Sequence, residues 1–353
     1  MKRRDFLKSS SALSLIAGFP LLPKNSSTKK LRLRWRIALV VPKTLPIWGP
    51  GIERFASNVE KLTDGQLKIR VYGAGELVPA LGTFDAVSSG EVQMGHSAAY
   101  YWQGKIPAAP FFTTIPFGMH ANGMYAWLES GGQALWDELM QPFNVFCLPC
   151  GNPGIQTIGW YRKEIKSLAD LKGLKVRIPG LAGKVFEKSG ATPVLLPGGE
   201  LFTSLATGIL DAVEWIGPYH DYIMGFHKAA PYYYGTGWHE PGAILELMIN
   251  KKAWDDLPAN IQLAIRIAAA EVDRWMQAQW EAKNAEYLAK IKAEGKIKLL
   301  QFPSDVLEEF RKSAKILIDE ISATSPLAKR IADSYNNFQT LFDDYQNWTS
   351  QGL

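Results

Sequence analysis

The sequence is poor in the residues that usually do chemistry. Its 353 residues include two cysteines and five histidines, and His96, His120, His220, His227 and His239 stand in no H-E-x-x-H or other paired metal spacing. There is no G-x-S-x-G, no P-loop and no G-x-G-x-x-G, which removes the hydrolase elbow, the nucleotide cradle and the dinucleotide turn as readings. Cys147 and Cys150 form a C-x-x-C, but a redox pair is expected at a helix start and a zinc site needs more ligands than this pair supplies. Residues 143–148 read as a buried strand, on which positions three apart face opposite ways, so packed thiols are expected there rather than a disulfide. Beyond the first 22 residues no apolar run reaches the roughly 18 residues needed to span a bilayer. Charge of one sign is also scarce: of the net +5, Lys2, Arg3, Arg4, Lys8 and Lys24 against Asp5 account for four. The remainder is nearly neutral, which argues against nucleic acid or an anionic membrane surface as partner.

What is present begins with a signal. Lys2-Arg3-Arg4-Asp5-Phe6-Leu7-Lys8 has a twin-arginine pattern and residues 9–22 are short and weakly apolar, so residues 1–27 are expected to be an export leader that sends a folded chain to the periplasm. A basic N-terminal arm is the alternative. No A-x-A occurs between Gly18 and Ser27 to place the cleavage point.

The rest, about 325 residues with 47% hydrophobic content, can bury a large core and suggests two lobes. Twelve Trp, thirteen Tyr and sixteen Phe are first of all core material. Residues 34–41 form an apolar run stopped by Pro42, and Ile52, Phe55, Val59 and Leu62 mark a helix over 48–62 that ends at Asp64-Gly65. A strand at 67–72, a helix at 83–89 closed by Gly90 and a strand from Val92 follow. This order gives parallel strands covered by helices. The same grammar returns with a short helix at 167–171, a strand at 173–178, a helix at 182–189, a strand at 194–196, a helix at 201–207 and a strand at 212–215. The chain therefore reads as two copies of one α/β plan. Helices are expected at 260–294, 304–321 and 326–348. The first of these could stay in one lobe, brace both, or pack on a second copy.

Arg177 lies on an otherwise apolar strand just before Pro179-Gly180, at the strand end that faces the crevice in α/β lobes. A planar guanidinium there could grip a carboxylate bidentately, or could pair with an internal acid. Glu214-Trp215 and Glu240 stand at further strand-to-turn boundaries. Two carboxylates beside an arginine would cancel its pull on an anion unless a hard cation such as Na⁺ or Ca²⁺ joined them; otherwise they hold Arg177 or face solvent. As an acid/base pair they could also serve a periplasmic lyase, but no nucleophile or cofactor motif accompanies them.

Residues 171–179 (Leu-Lys-Gly-Leu-Lys-Val-Arg-Ile-Pro), Gly190-Ala191-Thr192-Pro193-Val194, the 200–208 helix and Asp211-Ala212-Val213-Glu214-Trp215 together resemble the solute receptors of tripartite ATP-independent periplasmic (TRAP) transporters. The resemblance covers essentially the whole chain after the leader. It implies an α/β, two-lobe periplasmic binding protein fold with a long C-terminal helix. Lobe 1 would span 33–154 plus about 242–275, lobe 2 would span 155–241 plus part of the C-terminal region, and 259–353 would brace the lobes and offer a possible homodimer contact. Gln156, Arg177, Glu214-Trp215 and Glu240 resemble the branch that binds 2-oxo or 2-hydroxy monocarboxylates such as pyruvate or lactate with a metal cation. The resemblance then assigns Arg177 to the ligand carboxylate, and Gln156, Glu214, the Trp215 carbonyl and Glu240 to a Na⁺ or Ca²⁺ that also touches the ligand. Tyr100 and Tyr101 could add a hydroxyl donor, and Phe117 could wall the cleft. Delivery to TRAP membrane subunits would follow hinge closure, without catalysis. A dicarboxylate, sugar acid or aromatic acid is the alternative ligand.

Overall fold

The structure, a computed structural model, describes residues 32–350; the leader expected at 1–27 lies outside the described residues. The strands in chain order are β1 (Leu33–Leu39), β2 (Leu67–Tyr72), β3 (Met94–Ser97), β4 (Val145–Pro149), β5 (Gly159–Tyr161), β6 (Lys175–Arg177), β7 (Thr192–Val194), β8 (Ala212–Val213), β9 (Tyr232–Tyr234), β10 (Glu246–Asn250) and β11 (Lys298–Leu300). They form a five-stranded sheet in the order β2-β1-β3-β10-β4 and a six-stranded sheet in the order β11-β9-β5-β8-β6-β7.

Both sheets follow one plan. In the first, β1 lies between two parallel neighbours, with Ile37 opposite Val71 and Met94, and antiparallel β10 then separates β3 from β4. In the second, β6 lies between parallel β7 and β8, with Arg177 opposite Val194 and Val213, and antiparallel β5 separates β8 from β9. The chain therefore crosses from one sheet to the other after β4, back after β9, and over again between β10 and β11. Gln156 lies on the first crossing and Glu240 on the second, and the Gln156 amide donates to the Glu240 carbonyl at 3.1 Å.

Local signals explain most boundaries. The helix Trp48–Leu62 buries Ile52, Phe55 and Val59 and ends where Gly65 takes a left-handed turn at φ 71°. The helix Thr83–Ser89 stops at Gly90, φ 81°. Two strands are displaced from their expected positions. β3 starts at Met94 rather than Val92, because the Val92 amide still bonds back to the Ala86 carbonyl, and it runs on to Ser97 because Glu246 of β10 pairs there. β7 is Thr192–Val194, not 194–196: Leu195 and Leu196 leave the ladder, and the Leu196 carbonyl accepts from Arg177 instead. Both cysteines are buried free thiols.

The helix Ala259–Glu294 has 36 residues, about 54 Å at 1.5 Å per residue. Ile261, Ile265, Ala268, Val272, Met276 and Trp280 form its buried stripe. Glu271 accepts from Asn58 of the first long helix at 2.7 Å, and Asp273 accepts from the Gly151 amide on the first crossing at 2.5 Å. Trp280 and Asn284 bond the 219–220 stretch of the second half. The helix thus contacts both halves. The helix Ser304–Ser322 packs on the helix Gly180–Lys188, and Pro326–Thr349 returns to the first half, where the Tyr335 hydroxyl accepts from the Met119 amide at 2.9 Å. Among the described residues no helix is long and apolar enough to cross a membrane.

Candidate ligand and cation site

Arg177 ends β6 and is 1% exposed. Burying a guanidinium is costly unless its donors are met, and most of them are. Nη1 donates to the Glu214 carbonyl at 2.8 Å and to Glu214 Oε2 at 3.1 Å, while Nε donates to the Leu196 carbonyl at 3.2 Å. The ring of Trp215 lies 5.0 Å from the guanidinium carbon, within cation–π range. Among the described residues Nη2 meets only the Tyr101 hydroxyl at 3.5 Å, too long for a strong bond, so this edge of the fork is left over.

β8 places Glu214 beside it: the Glu214 amide bonds the Arg177 carbonyl at 2.9 Å, and the side chain is fully buried. Among the described residues Glu214 Oε1 has no hydrogen-bond partner; the ring nitrogen His239 Nε2 is 3.4 Å away. Glu240 Oε2 accepts from Gln156 Nε2 at 2.6 Å, which leaves Gln156 Oε1 orphaned and buried. One oxygen each of Glu214 and Glu240 and one ring nitrogen of His239 lie within 4.8 Å of one another. Burial pushes both carboxyls up to about 8; the Glu214 charge adds to the rise at Glu240, and Arg177 opposes it at both. Burial likewise lowers His239 to about 4, leaving it a neutral imidazole.

Such a cluster is costly as it stands, because orphaned buried acceptors forfeit their hydration without replacement. A hard cation relieves that cost. Gln156 Oε1 and Glu214 Oε1 are unpartnered oxygens of the type that Na⁺ and Ca²⁺ take, Glu240 adds a carboxylate, and among the described residues no hydrogen bond ends on the Trp215 carbonyl. The donor set therefore fits the cation. When bound, it would supply positive charge that keeps both glutamates ionised and attracts an anionic ligand.

The first half of the molecule closes over this cluster. The turn Ala99–Trp102 follows β3 and carries Tyr100 and Tyr101, whose rings meet edge to face at 4.8 Å. Tyr100 hydrogen-bonds Glu240, and Gln103 Nε2 reaches the Gly180 carbonyl at 3.2 Å. Gly180, at φ 64°, lies against the Tyr100 ring, and a β-carbon there would be strained by the left-handed backbone. Gly198 lets Trp215 lie flat, since a β-carbon would come within 2.5 Å of its ring.

The structure thus brings Gln156, Arg177, Glu214, Trp215, Glu240, Tyr100 and Tyr101 together. Glu240 arrives differently from its expected strand end: it lies in the loop between β9 and β10, six residues past Tyr234. Phe117 stacks on Trp238 at 5.1 Å under the Arg311 guanidinium, and so belongs to the C-terminal packing rather than the surround of Arg177. His239 was not singled out in the sequence; its adjacency to Glu240 was the available signal.

Two sheets bridged by crossings that carry facing polar side chains, with an arginine buried between them, define a bilobed solute receptor. Residues 39–325 match the family model for bacterial extracellular solute-binding protein, family 7 (DctP), and the chain belongs to that family. A monocarboxylate 2-oxoacid-binding periplasmic protein of Nostoc sp. is 39% identical over 96% of this chain and 94% of its own. A TRAP periplasmic solute-binding protein of Pseudoalteromonas atlantica, solved with bound sodium and pyruvate, has a TM-score of 0.88 at 41% identity, covering 91% of this chain and 98% of that one. One from Bordetella bronchiseptica, a mixed-occupancy dimer contrasting a site with copurified calcium and picolinate with an apo site, has a TM-score of 0.87 at 39% identity, covering 91% and 95%. The chain is thus a TRAP-type solute receptor of a periplasmic family and not an enzyme, and the lyase reading of Glu214 and Glu240 falls away.

Proposed function

We propose that this receptor binds a small 2-oxo or 2-hydroxy monocarboxylate, pyruvate or lactate in type, jointly with a Na⁺ or Ca²⁺ ion. The observation that carries the reading is the pair of buried, unpartnered acceptors Gln156 Oε1 and Glu214 Oε1 beside an arginine with one free edge. Arg177 offers Nη2 to the ligand carboxylate, with Tyr101 and Tyr100 as hydroxyl donors from the other half. Gln156, Glu214, the Trp215 carbonyl and Glu240 hold the cation. The ligands named for the P. atlantica and Nostoc relatives are of the same class.

Lobe 1 is residues 33–154 with about 242–275, lobe 2 is 155–241 with part of the C-terminal region, and the helices of 259–353 brace them. Ligand contacts come from both lobes, so binding favours the closed form, which docks on the TRAP membrane subunits. Export follows the twin-arginine route from the leader at 1–27, and the C-terminal helix mediates a homodimer. Calorimetry on Arg177→Ala tests the carboxylate role. A loss of about 2–5 kcal/mol in pyruvate binding is expected, because a desolvated charge pair is broken; normal binding by that variant would remove Arg177 from the site.

A further inference from the structure

Asp221 has no place in the ligand or cation set, yet it is fully buried and gathers five donors. Oδ1 accepts from the amides of Ile216 at 3.3 Å and Gly217 at 3.1 Å. Oδ2 accepts from Trp160 Nε1 at 3.2 Å, the Tyr233 hydroxyl at 3.1 Å and, more weakly, the Thr157 hydroxyl at 3.4 Å. These donors sit on three segments: the approach to β5, the turn after β8, and β9. The first carries Gln156 next to Thr157, and the second carries Glu214 and Trp215.

The peptide between Trp215 and Ile216 is trans and planar, so its N–H and its C=O point in opposite directions. With the Ile216 N–H fixed on Asp221, the Trp215 carbonyl is turned the other way, and no hydrogen bond of the described residues ends on it. The Thr157 amide also bonds the Ile216 carbonyl at 3.3 Å, so the Gln156 segment is tied to the same turn. We infer that Asp221 is a positioning residue for the cation: it aims the Trp215 carbonyl through the peptide plane shared with the Ile216 amide and holds the Gln156 segment in step with it. The inference rests on the cation site proposed above. Outer residues that orient metal ligands characteristically set affinity without touching the metal.

The test uses the mature protein freed of metal by a chelator, with Ca²⁺ titrated alone and pyruvate then titrated at saturating Ca²⁺. Asp221→Ala is expected to weaken Ca²⁺ about 10- to 100-fold while pyruvate affinity at saturating Ca²⁺ changes little. Asp221→Asn keeps an oxygen for the two amides and should recover most of the Ca²⁺ affinity. Tyr233→Phe removes one Oδ2 donor only and should leave Ca²⁺ binding as in the unsubstituted protein. Undiminished Ca²⁺ affinity in Asp221→Ala overturns the assignment, and so does an equal loss in Asp221→Asn. Should Asp221→Ala not fold, hydrogen exchange at the Ile216 and Gly217 amides of the unsubstituted protein decides: slow exchange supports the assignment and fast exchange overturns it. Failure of the cation reading itself shows separately, as an unsubstituted protein that binds neither Ca²⁺ nor Na⁺.

Discussion

At the scale of single residues, the molecule carries buried charge in two different ways. Around Arg177 the donors and acceptors are unequally matched, and among the described residues Gln156 Oε1 and Glu214 Oε1 are buried without a hydrogen-bond partner. Glu246 on β10 is the contrasting case: fully buried, it accepts from Trp102 Nε1 at 2.6 Å and from Cys147 Sγ at 3.6 Å, and among the described residues no cationic side chain is paired with it. Burial raises it to about 7, with the Trp102 and Cys147 bonds opposing. Its folded value lies above the ordinary 4.5, so the stability it contributes is fully present below about pH 4.5 and is lost as pH rises toward 7. Denaturant unfolding between pH 5 and 7 should therefore show Glu246→Gln gaining on the unsubstituted protein by up to about 1.4 kcal/mol per pH unit. Parallel stability curves would mean that Glu246 is already ionised in the fold. Because Trp102 closes the turn that bears Tyr100 and Tyr101, this carboxyl also anchors the lid of the site.

At the scale of elements, the sequence was legible wherever local chemistry sets the boundary. The helix over 48–62, the strand over 67–72 and the helix over 83–89 fall where apolar spacing and a terminating glycine put them. Legibility failed where a distant strand decides: the far end of β3 is set by β10, about 150 positions later, and the end of β7 by the demand of Arg177 for the Leu196 carbonyl. Arg177 and Glu214 could be read from their strand ends, whereas the pairing of Gln156 with Glu240 depends on two crossings that no local pattern reveals. The C-terminal helix has one feature left unused by the monomer. Leu341, Tyr345 and Trp348, spaced four and three apart, lie on one face and are 71%, 57% and 74% exposed. Sedimentation velocity should find a dimer that becomes a monomer in a Leu341→Lys, Trp348→Lys double variant with unchanged circular dichroism. A monomeric unsubstituted protein would leave that stripe without the proposed partner.

At the scale of the whole molecule, the two sheets are built alike and each takes one strand, β10 or β11, after the chain has left it, so that two of the three segments that pass between them bring Gln156 and Glu240 together. Tyr100 and Tyr101 follow a strand of the first sheet, whereas Arg177 and Glu214 stand on the second, so a change in the angle between the halves alters the distance between these two pairs. On the proposed reading, ligand affinity and closure form one equilibrium, which a cation held by Gln156, Glu214 and Glu240 would shift toward the closed form. Titration calorimetry of pyruvate against metal-stripped protein, with and without added Ca²⁺ or Na⁺, measures this coupling most directly. Tight binding is expected only when one of the two cations is present; equal affinity in a strong chelator and in sodium-free buffer would contradict it.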